Sequence, residues 1–249
     1  MTKEIPKIPT ETTNAYPMRI NKYLALKKIS TRRGADELVT AKKVFINKKL
    51  AVLGSKVNET DVVEVKGAKK TDYKYFAYNK PVDVITHSPQ GEETDIKEEI
   101  KNKDIPKDVF PIGRLDKNSH GLLILTNDGR ITDQLLNPKY FHEKEYVVRT
   151  SNKLRSNFKQ KMEAGVNIEG YVTKPCKIKI LSDFTFKIIL TEGKKHQIRR
   201  MCSALFQEVA DLKRERFMNI KLGTLKPNDF REITGAELST FLNPILHQS

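Results

Sequence analysis

The stretch Phe110–Gly129, FPIGRLDKNSHGLLILTNDG, carries the reading of the fold. Its apolar run, Gly121 to Leu125, followed by the turn signal Asn127-Asp128-Gly129, reads as a buried strand ending in a turn. Ahead of the run, Arg114 and Asp116 flank Leu115. In an alternating segment residues 114 and 116 share one face and Leu115 takes the other. Leu115 then anchors in the core while Asp116 faces a cleft, and Gly113 permits a close approach or an unusual dihedral. A carboxylate held by a tight loop against a rigid sheet suits a nucleophile or general base. Turn capping is the commoner use of such an aspartate.

Two further stretches bear on that choice. In Leu190–Met201, LTEGKKHQIRRM, a strand is expected to end at Glu192-Gly193 and a helix to open directly after Gly193. Its first turns then carry Lys194, Lys195, His196, Arg199 and Arg200. Basic residues at a helix N-terminus oppose the macrodipole, so they call for an anion or a carboxylate partner. Arg199, one turn behind Lys195 or His196, can pair with a buried carboxylate and hold it ionised; a plain basic surface helix is the alternative. In HEKEYVV, Tyr146 shares a strand face with Lys144 and Val148. In a cleft it can stack on a base, although core tyrosines are more frequent.

The remaining elements follow the same reading. YKYFAYNKP and VDVIT are expected strands, HSPQGEET a loop, DIKEEI a short helix, and Ile131–Leu136 a helical turn or two. EKEYVVRT is a strand, and KLRSNFKQKMEAGV a helix with Leu154, Phe158, Met162 and Val166 at helical spacing. TKPCKIKIL, FTFKIILTEG and RFMNIKLGTL are strands, and GAELSTFL closes as a helix. The result is a strand-rich α+β domain over residues 73–249.

Charge sets the first part of the chain apart. The formal net charge is +15 over 249 residues. Residues 19–70 hold 14 Lys+Arg against 5 Asp+Glu, a net of +9 in about a fifth of the chain. Such an excess favours a polyanionic partner, by default nucleic acid. In RINKYLALKK, Ile20, Tyr23, Leu24 and Leu26 read as one helical face. Ser30 or Thr31 can cap a second helix, RRGADELVTAKK, with Leu38 and Val39 inward. VFINKK, turning near Asn47-Lys48, and DVVEV are short strands. The expected organisation is a Pro- and Thr-rich flexible tail at 1–17, a small basic domain at 18–66, a linker at 67–72 and the larger domain at 73–249.

Other classes find little support. No apolar run approaches the roughly 18 residues of a membrane span, and the N-terminal residues lack a signal-peptide core. Cys176 and Cys202 form no CxxC pair, and the five histidines are scattered, so no metal site is expected. A reducing cytoplasm and a monomer fit this pattern.

The basic module resembles the small RNA-binding domain first seen in the fourth small-subunit ribosomal protein, the S4 domain. The residues that carry the likeness are Arg19, Asn21, Lys22, Tyr23 and Leu24, then Ser30, Arg32 and Arg33, then Val44 to Lys49. Its exposed Arg19, Lys22, Arg32 and Arg33 would meet phosphates. Together with GRLDKNSHGLLILTNDG, KEY, EGKKHQIRRM, YNKP and IKLGTLKPNDFREIT, the chain is similar to the RsuA-type family of pseudouridine synthases. HEKEY, QIRRMC and RFMNIKL lie nearest the RluF branch, which acts on large-subunit (23S) ribosomal RNA. Ser119, Asn118 and His196 stand where that family often has Thr, Asp and Arg.

The resemblance implies a mixed or antiparallel sheet with flanking helices and isomerisation of uridine within RNA, free or in a pre-ribosomal large subunit, without cofactor or metal. It implies Asp116 as the essential carboxylate, Tyr146 stacked on the uracil and Arg199 paired with Asp116. Arg114, Lys194, Lys195, His196 and Arg200 would contact RNA. Competing readings remain: the same chemistry on small-subunit or transfer RNA, an RNA-binding assembly factor without chemistry, and a carboxylate-dependent hydrolase of a small substrate.

Overall fold

The computed structural model describes residues 16–27, 29–67, 72–87 and 93–246, and these fall into two compact units that divide at Asp72 and Tyr73. The first contains β1 (Met18–Arg19), α1 (Ile20–Leu26), α2 (Arg32–Thr40), β2 (Val44–Ile46), β3 (Lys49–Leu50), β4 (Lys56–Val57) and β5 (Val63–Val65). Ile20, Leu24, Ala35 and Val39 of the two helices close on Val44, Ala51 and Val57. Leu26, read as inward, is exposed: two residues beyond Leu24, it sits about 200° further round the helix. Of the two candidate caps Thr31 is the one used, its hydroxyl accepting from the Gly34 amide at 3.0 Å. The Asn21 amide donates to Asp36 at 3.0 Å and ties the helices together. The β2–β3 turn passes through Asn47 and Lys48, both at positive φ, as a tight hairpin requires. The expected tail and linker lie largely outside the described residues, as does most of the HSPQGEET loop.

The second unit contains β6 (Tyr75–Lys80), α3 (Ile96–Ile100), β7 (Phe110–Ile112), β8 (His120–Thr126), α4 (Thr132–Leu136), β9 (Lys144–Thr150) and α5 (Phe158–Glu163). It continues with β10 (Asn167–Ile168), β11 (Tyr171–Val172), β12 (Lys177–Ser182), β13 (Thr185–Leu190), α6 (Gln197–Ala204), β14 (Val209–Phe217), β15 (Ile220–Lys221), β16 (Phe230–Glu232) and α7 (Gly235–Leu246). A nine-stranded sheet runs β12-β13-β9-β14-β8-β6-β16, with β15 on β14 and β7 on β8. Every pairing in it is antiparallel except β14 with β8.

The sheet has two halves with different environments. Leu122 and Ile124 of β8 pack with Tyr75 and Ala77 of β6 against Phe241 and Ile245 of α7. Leu123 and Leu125 pack with Phe76 and Tyr78 against Ile96 and Ile100 of α3. Covered on both faces, β8 is a continuous apolar run, as central strands are. The β12–β13–β9–β14 half is covered on one face only, where Val148, Ile188 and Leu212 meet Phe158 and Met162 of α5 and Ile198, Met201 and Cys202 of α6. On the other face Lys187 bonds Glu145 and Glu215 at 3.1 and 2.8 Å, and Arg216 bonds Glu145 and Glu143. The alternation of KEYVVRT reflects that arrangement.

Three expected elements differ. RFMNIKLGTL is not one strand: β14 ends at Phe217, Met218 turns the chain at φ +52°, and only Ile220–Lys221 return against β14. The helix read over KLRSNFKQKMEAGV is confined to Phe158–Glu163, because Gly165 turns left-handed at φ +92° and the Leu154 amide goes to Asp183 instead. Phe158 and Met162 do face inward as spaced. VDVIT is not a strand: one bridge joins Ile85 to Asp95, and Asp83 at φ +64° bends the segment so that its amide reaches the Lys117 carbonyl.

Gly121 is the point where the two halves meet. It holds φ +101°, and an added Cβ would lie 2.4 Å from the Arg214 carbonyl oxygen of β14. Gly121→Ala is expected to cost about 3 kcal/mol through strain and forced separation of the strands. Urea denaturation checks this; a midpoint equal to that of the unaltered protein would contradict the close approach.

Candidate active site

The hairpin of β7 and β8 carries Asp116 on its loop, residues 113–119. Gly113 enters the loop at φ +76°. Leu115 is buried as its spacing requires, and Arg114 is exposed. The buried Thr86 hydroxyl both accepts from the Leu115 amide at 3.1 Å and donates to its carbonyl at 2.8 Å. The Ser119 amide donates to the Asp116 carbonyl at 3.0 Å, closing the turn. The next three carbonyls are each taken by a different part of the unit. Lys117 accepts from the Asp83 amide at 2.9 Å, Asn118 from the Arg199 guanidinium at 2.8 Å, and Ser119 from the Lys80 ammonium at 2.8 Å. Asp116 is thus presented by backbone that has little freedom left, with 38% of its side chain open to solvent.

Lys80 ends a strand of six consecutive buried residues and is itself fully buried. Its ammonium also reaches the Pro81 carbonyl at 2.7 Å and, more distantly, Lys117 at 3.4 Å. Burial lowers its pKa to about 8, with Asp116 and Asp83 pulling the other way. A buried charge must be surrounded by acceptors; here the Pro81 carbonyl supplies one and the loop that holds Asp116 supplies the other two.

Arg199 does not pair with Asp116. Its guanidinium goes to the Val209 carbonyl at 3.1 Å and to the Asn118 carbonyl. His196 is the group beside the carboxylate, its Nε2 lying 3.5 Å from Asp116 Oδ1 and forming an ion pair when protonated. The reason lies in where the helix begins. His196 is left-handed at φ +51° and caps α6, which opens at Gln197. Lys194 and Lys195 therefore lie in an exposed turn before the helix, outside the first turn where the macrodipole acts. Arg200 is engaged with the Ile168 carbonyl and with Glu169 at 3.0 and 2.7 Å. In the first unit Arg19, Arg32 and Arg33 are exposed and Lys22 half-buried.

Tyr146 faces the α6 side of the sheet, half-buried against the core there. It pairs across β14 with Arg214, and Arg214 pairs in parallel register with Gly121. Two strand spacings, about 10 Å, therefore separate Tyr146 from the end of the Asp116 loop. Arg214 is buried and donates to the Leu122 carbonyl at 2.6 Å. Lys144 is pushed down to about 8 by burial and by Arg214, with Glu192 opposing. Glu192 is buried and accepts from the Tyr171 hydroxyl, the Lys174 amide and the Gln197 side chain, which sets the turn leading into α6.

Sequence reasoning assigned no role to Lys80, Thr86, Arg214 or Glu192. For Lys80 a signal existed: a lysine ending an aromatic strand directly before proline is a buried cation in need of partners. Thr86, Arg214 and Glu192 act through contacts distant in sequence and leave no local mark. Among the described residues no group of three His, Cys, Asp or Glu side chains is placed to hold a metal ion, and no helix is long and apolar enough to cross a membrane.

Lys80→Met, of similar volume, is expected to lower kcat about 10²-fold with little change in KM, because the loop loses its geometry rather than its contacts to substrate. The folded protein binds the Lys80 proton less tightly than the unfolded chain, so Lys80 makes stability rise with pH from about 8 towards the ordinary lysine range. Lys80→Met is expected to flatten that slope in denaturation experiments between about pH 8 and 9.5; an unchanged slope would contradict the assignment.

The chain as a whole is similar to known proteins. The family model described as RNA pseudouridylate synthase matches residues 74–204, and that of the S4 domain matches residues 18–63. The chain is 40% identical over 226 residues to the dual-specificity RNA pseudouridine synthase RluF of Escherichia coli K12, covering 89% of this chain and 77% of that one. It is 35% identical to the ribosomal large subunit pseudouridine synthase B of Bacillus subtilis, covering 88% and 93%. A crystal structure of a pseudouridylate synthase superposes with a TM-score of 0.67 at 26% identity, over 90% of this chain and 99% of the other.

Proposed function

The chain belongs to the RNA pseudouridylate synthase family, with an S4 domain ahead of the catalytic unit, and from that premise we propose that it isomerises a uridine of large-subunit ribosomal RNA with Asp116 as the essential carboxylate. The observation that carries the assignment of Asp116 is the loop: the carbonyls of Lys117, Asn118 and Ser119 are each held from a separate element while the carboxylate is left partly open. Preorganisation of that kind serves a reacting group. A capping aspartate would have its oxygens in backbone bonds, and among the described residues those of Asp116 accept none.

In the reaction the uracil N1–C1′ bond breaks, the base turns, C5 bonds to C1′, the C5 proton leaves for solvent, and N1 takes up a proton from solvent. Redox state is unchanged and no co-substrate is consumed. A negative group beside C1′ or C2′ suits an oxocarbenium-like or glycal-forming step, as in glycosidases. Tyr146 stacks on the uracil and stands near C5. Arg199 is a positioning residue, acting through the Asn118 carbonyl on the loop. A target base in a stem leaves its stack to reach the site; Arg114, exposed beside Asp116, fills the gap or grips phosphate. Arg19, Lys22, Arg32 and Arg33 bind phosphates from the small domain, with Lys194, Lys195 and His196 contributing beside Asp116.

The large-subunit substrate is supported by the name of the Bacillus relative, while the Escherichia relative's description as dual-specificity favours a second RNA as well. The test is tritium release from RNA labelled at uracil C5, offered as protein-free large-subunit, small-subunit and transfer RNA. Release from the large-subunit pool is expected. Asp116→Asn is expected to abolish it while RNA binding survives; retained turnover would remove Asp116 from the chemistry. Arg199→Ala is expected to lower kcat more than affinity. Removing residues 1–66 is expected to weaken binding and flatten its salt dependence, and unchanged binding would show that the small domain is not the anchor.

A further inference from the structure

Phe141 is 58% exposed and held at φ +54°. A bulky residue in the left-handed region carries strain, and a ring left in solvent recovers little of it by burial. The Lys174 ammonium lies 4.2 Å from the centre of the ring. The pattern repeats nearby. Lys139 sits 4.7 Å over Tyr140, which stacks on His142, and Lys194 sits 4.4 Å over Tyr171. Aromatic faces interleaved with ammonium groups suit unpaired bases and their phosphates.

This strip is continuous with the active site. The Lys174 amide and Tyr171 hydroxyl both donate to Glu192, which also takes Gln197, the neighbour of His196 beside Asp116. Phe141 stands three residues before Lys144, where the strand of Tyr146 begins. Phe206, another exposed aromatic with a cation on its face, from Arg155 at 4.8 Å, is likewise left-handed, at φ +59°, but has no such continuity. It lies past the C-terminal end of α6, about 12 Å of helix away from the end that faces Asp116.

We propose that Phe141 and Lys174 form a stacking platform for an unpaired RNA base adjoining the target uridine. Phe141 takes the face of the base and Lys174 the flanking phosphate. This rests on the reading of the chain as an RNA uridine isomerase and specifies how its substrate is held.

The chain contains no tryptophan, so Phe141→Trp introduces a single fluorescent reporter. Adding transcribed large-subunit RNA is expected to quench the fluorescence of that variant about twofold, while the same RNA leaves the fluorescence of Phe206→Trp unchanged. Phe141→Gly relieves the left-handed strain and is expected to keep or raise Tm, yet to raise KM for RNA about tenfold with kcat within about twofold, in line with loss of one stacked base. A merely structural ring would give the reverse, a lower Tm and an unchanged KM. Absence of quenching in the Phe141→Trp variant, equal quenching in the Phe206→Trp variant, or an unchanged KM for Phe141→Gly would each overturn the platform. If the unaltered protein releases no tritium from any RNA, the catalytic reading fails, and quenching alone then decides the platform.

Discussion

A buried ammonium with carbonyls around it organises the catalytic unit. Lys80 has lost all contact with water and is surrounded by Pro81, Lys117 and Ser119 carbonyls at 2.7, 3.4 and 2.8 Å. Removing an ammonium from water costs several kcal/mol unless oxygen atoms replace the hydration shell. The chain meets that demand with the Pro81 carbonyl and with two carbonyls of the loop that presents Asp116, so the lysine's own requirement constrains the shape of the loop. Thr86, Asp83 and Arg199 hold what Lys80 leaves free. Asp116 thereby has a fixed backbone and a partly open carboxylate, which is the combination a reacting group needs.

The sheet explains why this construction sits where it does. Strands β6 and β8 are sealed on both faces and form its stiff half. Strands β9, β13 and β14 are sealed on one face and carry a ladder of ion pairs on the other. The halves join at the parallel pair of β8 and β14, where Gly121 lies against the Arg214 backbone with no room for a Cβ. The Asp116 loop enters that junction from one side, and Tyr146 is two strands away on the other. Rigid elements on both sides set the distance between them, and the loops need only present side chains.

Much of this was legible in the sequence, for physical reasons that differ by residue. Leu115 was readable from alternation, and Leu122–Leu125 because an uninterrupted apolar run marks a strand buried on both faces. The S4-like module was readable because its charge is concentrated and its two helices are short and regularly spaced. The pairing of Arg199 was misread because a left-handed His196 delays the start of α6 by three residues, and one such residue turns every later side chain to a new direction. Thr86 and Lys80 act on a loop 29 and 39 residues downstream, and Arg214 reaches back 92; hydrogen bonds at such separations leave no periodic trace. The short strand expected at VDVIT failed in the same way, since the Asp83 amide is used by the Asp116 loop rather than by a neighbouring strand.

If the Lys80 ammonium is buried against the Asp116 loop, it must feel the Asp116 carboxylate. A side-chain NMR titration of the lysine ammonium groups tests it most directly, with Lys80 assigned by its loss in Lys80→Met. Lys80 is expected to titrate at about 8, and lower still in Asp116→Asn once the carboxylate charge is gone. A Lys80 pKa at the ordinary lysine value near 10.5, indifferent to Asp116→Asn, would contradict it.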